Sequence, residues 1–277
     1  MVPRRAAQGP DGQDPQARGR DPRGGKVLDD LELAESIARE AGGLLRERFG
    51  STSQLASKST PTDPVSEADL AAEQLIRGRL AGARPDDGVV GEEGDDDLGT
   101  SGRNWVVDPL DGTVNFLYGI PQWAVSVALE HEVGVVYDPM RDECWSVRAG
   151  EPPRCNGEVI SASGCGELAM AMVATGFGYD SAVREVQGAL AAALLPRVRD
   201  IRRLGSAALD LAWTAGGRYD AYFERGVKRW DVAAGSLLCA AAGLEVHELA
   251  PVLPSEGGIL VAPGAFAQEL LDAVSER

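Results

Sequence analysis

The sequence predicts an α+β protein in which helices and sheets are stacked in layers. Short apolar strand patterns and amphipathic helix patterns are mixed along the chain, without the strict strand–helix alternation of a doubly wound sheet. The 277 residues suffice for one large domain or two closely packed subdomains. We assign residues 27–277 to that unit. Residues 1–26, rich in Arg, Asp, Gly, Pro and Gln, are predicted to be a disordered tail.

The predicted elements start with a helix over residues 28–50, because its apolar residues recur on one helical face. A capping box at Ser66 and Asp69 predicts a second helix, which ends near Leu80. Two short apolar strands follow at 88–93 and 105–108, and each ends on carboxylates. Later strands are predicted at 123–129, 133–137, 143–147, 168–174, 199–203, 220–224, 244–247 and 259–262, and later helices at 181–195, 206–215, 231–242 and 265–274.

The bulk composition argues against several kinds of partner. The net charge of −16 repels nucleic-acid phosphates and anionic lipid, so we expect neither nucleic acid nor a membrane as a partner. No apolar run reaches the roughly 18 residues of a spanning helix, and the N-terminus lacks the apolar core of a secretory signal. The four cysteines show no CxxC pairing. Reduced thiols in a cytoplasmic protein are therefore expected.

Several catalytic chemistries lack their residues. No arginine stands six residues after any cysteine, which excludes a Cys-x5-Arg phosphatase. The two histidines, His131 and His247, are isolated in the sequence, so we do not expect a histidine general base. Neither a Walker phosphate loop nor a Gly-x-Gly-x-x-Gly motif occurs, which argues against nucleotide-driven chemistry and a Rossmann cofactor.

What remains is a set of carboxylates near the ends of short apolar elements: Asp63, Glu92, Glu93, Asp108, Asp111 and Asp231. Each one alone has an ordinary interpretation as a turn, loop or helix-capping residue. The run Asp-Pro-Leu-Asp-Gly-Thr at 108–113 is much more specific, because it fixes several residue types directly after a strand.

The run suits phosphoryl transfer with two metal ions. Mg²⁺ prefers oxygen ligands, and two ions about 3.5–4 Å apart can activate a water and neutralise a leaving oxygen. Asp108 and Asp111 can point to one side of the turn, and Leu110 between them can offer its carbonyl. Thr113 can hydrogen-bond the attacking water. Several carboxylates could not stay ionised together in a cleft without such cations.

These motifs, in their order and spacing, resemble the inositol monophosphatases and their lithium-sensitive relatives over residues 28–274. The matching segments are residues 62–69, 91–93, 105–116, 205–209 and 220–234. The resemblance implies a layered α-β-α-β-α fold, commonly a homodimer. It also implies a Mg²⁺-dependent, lithium-sensitive phosphomonoesterase with two or three ions in each site.

The resemblance implies a role for individual residues. The metal ligands would be Glu92, Asp108, the carbonyl of Leu110, Asp111 and Asp231. Thr113, supported by Asp63, would polarise the attacking water. Glu93 would support the metal ligands without binding the ions itself. Substrate would be bound by Asp111, Gly112, Thr113, Ala207 and Glu224. Lys58 would lie on a mobile loop that helps to close the site.

The substrate stays open at this point. Inositol monophosphate is the first candidate, and histidinol phosphate, fructose 1,6-bisphosphate and 3′-phosphoadenosine 5′-phosphate share the same chemistry. Lys228 and Arg229 lie near Glu224 in the sequence and could favour a second anionic group. A catalytically inactive relative that binds metal or ligand is a rival hypothesis.

Overall fold

The computed structural model describes residues 28–51, 54–57 and 64–275. The predicted tail at 1–26, and the predicted site residues Lys58 and Asp63, lie outside these ranges. Within them, no helix is long and apolar enough to cross a membrane.

The helices and strands of the described chain follow one another in a mixed order. The helices are α1 Asp30–Arg48, α2 Glu67–Ala83, α3 Thr113–Leu117, α4 Ser181–Leu194, α5 Ala207–Ala215, α6 Arg229–Ala241 and α7 Ala267–Ser275. The strands are β1 Gln54–Ser57, β2 Pro64–Ser66, β3 Gly88–Gly91, β4 Asn104–Asp111, β5 Ala124–Leu129, β6 Val133–Asp138, β7 Glu143–Arg148, β8 Arg154–Cys155, β9 Glu158–Val159, β10 Met172–Thr175, β11 Asp200–Arg202, β12 Ala221–Arg225, β13 Glu245–Leu249 and β14 Gly258–Ala262.

Most of these elements match the sequence-based expectations, and the exceptions have a local cause. The capping box is confirmed, since Ser66 accepts from the backbone of α2 and Asp69 accepts from Ser66. The strand expected at 168–174 is wrong in its first half, where Leu168–Met170 form a 3₁₀ turn before β10. Helix α3 and strands β1, β2, β8 and β9 were not predicted, because each has only two to five residues and therefore carries little periodicity.

The strands form two large sheets and one small one. The large sheets have the strand orders β3-β4-β5-β6-β7-β8-β9 and β11-β10-β12-β14-β13, and β1 pairs with β2. Strands β3 and β4 run parallel, and the rest of the seven-stranded sheet is antiparallel.

Five layers result, because both faces of each large sheet are covered by helices. Helices α1 and α2 pack on one face of the seven-stranded sheet, and α5 and α6 fill the space between the two sheets. Helices α4 and α7 cover the outer face of the five-stranded sheet. The strands alternate accordingly, with Tyr222 in the middle layer and Phe223 in the outer core. The predicted α-β-α-β-α layering is therefore confirmed.

The middle helices approach the sheet closely where glycine allows it. A Cβ on Gly134 of β6 would lie 2.8 Å from the carbonyl oxygen of Ala234 in α6. That contact is backbone, so it cannot be relieved by a side-chain rotation. Because α6 also carries Asp231, this close contact sets the depth at which a candidate site residue is held.

We predict that Gly134→Ala lowers the free energy of unfolding by about 1–3 kcal/mol, since the added methyl group forces α6 away from the sheet. Gly78→Ala, in α2, is the matched control, because a Cβ there meets nothing within 4 Å. The control should be neutral or stabilising. Urea unfolding of both variants measures the difference, and equal stability of the two would contradict the packing argument.

Candidate active site

The parallel pairing of β3 and β4 brings two of the predicted ligands to one edge of the sheet. Gly91 at the end of β3 is opposite Val107 of β4. Glu92 therefore leaves β3 beside Asp108. Both residues line an open cleft of about 450 Å³ between the seven-stranded sheet and the five-stranded sheet.

Strand β4 is irregular after Asp108, although Asp111 still pairs with Ala124 of β5. Pro109 has no N–H for the ladder, and the pairing with β5 shifts register between Asp108 and Asp111. The N–H of Leu110 donates to Asp108 Oδ1 at 3.0 Å. Gly112 follows with φ of 95°, and a Cβ there would lie 2.9 Å from the Gln122 carbonyl oxygen. Only glycine fits this position.

Two helices of the middle layer hold the other two aspartates. Asp111 Oδ2 accepts hydrogen bonds from the Ser206 hydroxyl and from the N–H of Ala208 at 2.8 Å, at the start of α5. Asp231, in the first turn of α6, accepts from the N–H of Lys228 at 2.6 Å. Helix N-termini favour negative charge, so α5 and α6 both direct favourable dipoles towards the cleft.

The three aspartates form a cluster that suits a cation. One carboxylate oxygen from each of Asp108, Asp111 and Asp231 lies within 4.8 Å of the other two. Burial, together with the nearby charge of Glu92, raises the pKa of Asp111 to about 6. Burial and repulsion by Asp111 likewise raise the pKa of Asp231 well above its usual value. The donors are hard carboxylate oxygens, which fits an ion such as Mg²⁺.

Thr113 is hydrogen-bonded to a carboxylate that the sequence motifs do not assign to the site. Its hydroxyl lies 3.0 Å from Asp69 Oδ1 and 3.0 Å from the Leu110 carbonyl oxygen. Asp69 is fully buried. The family resemblance gives this supporting role to Asp63, which lies outside the described residues.

The predicted substrate residues line the same cleft. Gly112, Thr113, Ala207 and Glu224 are all among its lining residues. The Tyr222 hydroxyl donates to Glu224 Oε2 at 2.9 Å, and burial raises the pKa of Glu224 to about 7. Glu93 is not part of the lining, and its N–H donates to Glu73 Oε2 at 2.7 Å.

Sequence reasoning misses three polar residues of the site. It identifies Asp69 only as part of a helix cap and Ser206 only as a helix start, and it does not single out Glu73. One signal could have found two of them: Asp69 and Glu73 fall on the same stripe of α2 as the buried residues Ala72 and Ile76. Carboxylates on an apolar stripe are rarely buried without a partner.

The comparisons with known proteins identify the family of the chain. The model of the inositol monophosphatase family matches residues 28–277. The inositol-1-monophosphatase SuhB of Mycobacterium tuberculosis is 43% identical over 267 residues, which cover 87% of this chain and 92% of that protein. The Nus factor SuhB of Pseudomonas aeruginosa is 40% identical over 228 residues, which cover 77% and 83%.

The solved structures give the same result for the fold. The SuhB structure of Bartonella henselae superposes with a TM-score of 0.81 at 32% identity, over 88% of this chain and 97% of that chain. A layered fold with a carboxylate cleft of this kind is that of a metal-dependent phosphatase. The chain belongs to the inositol monophosphatase family, whose members act on small phosphate esters.

We predict that Glu224→Gln stabilises the metal-free protein at high pH. Below its ordinary pKa of 4.5, the Glu224 carboxyl is neutral in both the folded and the unfolded protein. As the pH rises from 4.5 through the folded pKa of about 7, the wild-type free energy of unfolding falls, because the unfolded protein loses this proton more readily than the folded protein does. The free energy of unfolding of the variant should exceed that of the wild type by about 1–3 kcal/mol near pH 8, and the two should differ little near pH 4. Urea unfolding of metal-stripped protein tests this, and a gain that grows towards low pH would refute it.

Proposed function

We propose that the protein is a Mg²⁺-dependent phosphomonoesterase that hydrolyses a small polyol or sugar phosphate, with inositol monophosphate as the first candidate. The observation that supports this most directly is the aspartate cluster within 4.8 Å next to the hydrogen-bonded pair of Thr113 and Asp69. The first can hold cations, and the second can orient a water.

The proposed metal ligands all line the cleft. Glu92, Asp108, Asp111, Asp231 and the carbonyl of Leu110 would hold two or three Mg²⁺ ions. When bound, such ions lower the pKa of an attacking water and neutralise the oxygen of the leaving alcohol. Each of the three clustered aspartates has one oxygen fixed by a backbone N–H. That fixation limits how far the carboxylates can turn away from the centre of the cluster.

Thr113 and Asp69 would accept the proton that the attacking water loses. The threonine hydroxyl donates to Asp69 Oδ1 at 3.0 Å, so its lone pairs remain available to accept a hydrogen bond from the water. As the water attacks phosphorus, its proton can pass to Thr113 Oγ1 while the threonine proton moves to Asp69 Oδ1. Asp63 stays a prediction as a further support of this pair.

Substrate binding would use the walls around the cluster. The backbone N–H groups of Gly112 and Thr113 would contact the phosphate, while Glu224, Ala207 and Asp111 would contact hydroxyls of the leaving alcohol. Lys228 pairs with Glu256, and Arg229 pairs with Glu130. Both cations already have carboxylate partners, so neither gives particular support to a second anionic group on the substrate.

An inactive relative and a role in transcription both have less support than hydrolysis. An inactive relative would not need both the cluster and the Thr113–Asp69 pair. The name Nus factor describes the Pseudomonas aeruginosa relative, and a role in transcription for this chain would have to rest on a surface other than the cleft. The homodimer, the cytoplasmic location, the Lys58 loop and the supporting role of Glu93 stay predictions.

We predict that Asp69→Asn lowers kcat about 10²–10⁴-fold, because the asparagine cannot take up the threonine proton. Mg²⁺ binding should be unchanged. Ser66→Ala is the matched control: Ser66 and Asp69 form the same helix cap, and the Ser66 hydroxyl donates to Asp69 Oδ2 rather than to the oxygen that faces Thr113. The control therefore loses stability but keeps the proton acceptor and most of its kcat. Steady-state kinetics measures kcat for both variants. Equal losses of kcat would show that Asp69 acts only as a helix cap.

The decisive assay for the whole proposal is phosphate release from a panel of phosphomonoesters, with Mg²⁺ and with EDTA. Inositol 1-phosphate should be hydrolysed fastest, and EDTA should abolish the release. Histidinol phosphate, fructose 1,6-bisphosphate and 3′-phosphoadenosine 5′-phosphate are the competing substrates, and lithium should inhibit at millimolar concentration. Release that persists in EDTA would overturn the metal mechanism. A lead by another ester would replace the substrate and keep the mechanism.

A further inference from the structure

Helix α2 presents a row of charged side chains to the site. Asp69, Glu73 and Arg77 are four residues apart, so they lie on one helical face with a rise of about 6 Å between neighbours. Asp69 and Glu73 are 0% and 3% exposed. Two buried carboxylates on one face of a helix need a structural or functional reason.

The carboxylate of Glu73 is bound to the segment that carries Glu92. Glu73 Oε2 accepts the N–H of Glu93 at 2.7 Å, and Oε1 accepts the N–H of Gly94 at 2.9 Å. Arg77 Nε donates to Oε1 at 2.7 Å and neutralises the buried charge. The two oxygens of Glu73 therefore fix two consecutive peptides directly after Glu92.

The glycines of this segment fit around the same carboxylate. A Cβ on Gly91 would lie 2.6 Å from Glu73 Oε1, and a Cβ on Gly94 would lie 2.8 Å from it. A side chain at either glycine would therefore displace the Glu73 carboxylate from its contact with the segment. The contact therefore depends on Gly91 and Gly94 of the segment as well as on Glu73 of α2.

We infer that Glu73 is the positioning residue for the proposed metal ligand Glu92, and that α2 thereby anchors the Glu92 segment through Glu73 and Thr113 through Asp69. This inference rests on the proposed function. Residues behind metal ligands orient them, and their loss typically weakens metal binding about 10–100-fold. Glu73 acts through the backbone of residues 93 and 94 and does not itself contact the cluster.

The test is metal affinity measured without turnover. In Glu73→Gln one of the two backbone N–H groups faces an amide NH₂ group instead of an oxygen, so the segment loosens while the volume is kept. Calorimetric titration of metal-stripped protein with Mn²⁺ should show affinity about 10–100-fold weaker than that of the wild type. Glu67→Gln, the same change at an exposed position of α2, should bind as the wild type does.

A second variant approaches the contact from the other side. Gly94→Ala pushes the Glu73 carboxylate away without a change in the helix, and it should weaken Mn²⁺ binding as well. Gly82→Ala, where a Cβ meets nothing within 4 Å, is its control. In both test variants the Mg²⁺ concentration for half-maximal activity should rise, while kcat at saturating Mg²⁺ largely recovers. A purely structural role would lower the melting temperature and leave the metal affinity unchanged.

The outcomes separate this inference from the proposed function. If the wild-type protein binds no Mn²⁺, the proposed function is wrong, and this inference falls with it. If the wild type binds Mn²⁺ and Glu73→Gln and Gly94→Ala bind it equally well, the positioning role is overturned and the function stands. Should Glu73→Gln fail to fold, Gly94→Ala decides alone.

Discussion

The repulsion between the clustered carboxylates is the constraint on which the rest of the site depends. Asp108 and Asp111 come from strand β4 and Asp231 from helix α6, and one carboxylate oxygen of each lies within 4.8 Å of the other two. Burial and mutual repulsion oppose ionisation of such a group. Each carboxylate is held by a backbone N–H, from Leu110, Ala208 and Lys228 respectively. Backbone donors cannot rotate away, so the fold itself maintains this unfavourable charge distribution.

The middle layer of helices makes this arrangement possible. Helices α5 and α6 begin at the cleft, and their N-terminal N–H groups face the aspartates. The favourable interaction of a helix N-terminus with an anion is modest, typically 0.3–1 kcal/mol at exposed positions. It orients the carboxylates more than it offsets their repulsion. A divalent cation bound by the three aspartates would supply a larger compensation than the helix N-termini do.

Much of the fold and part of the site could be predicted from the sequence. Periodicity located most strands and helices, because long elements repeat a clear apolar pattern. The run from Asp108 to Thr113 identified the centre of the site, because its residues are adjacent in sequence. Contacts between distant segments left no such pattern: Asp69 meets Thr113 across 44 positions, and Ser206 meets Asp111 across 95. The local pattern predicted helix starts at Asp69 and Ser206, but it did not predict that Thr113 and Asp111 are their partners.

Asp69 shows why a structural signal can conceal a functional one. Its Oδ2 accepts from the backbone N–H and the hydroxyl of Ser66 in the capping box, and its Oδ1 remains for Thr113. The cap therefore restricts the carboxylate to an orientation that presents the second oxygen to the threonine. A carboxylate held in this way needs little reorganisation when a proton moves towards it. The helix start and the proposed water-orienting pair consequently share one carboxylate, and each of its two oxygens serves one of the two roles.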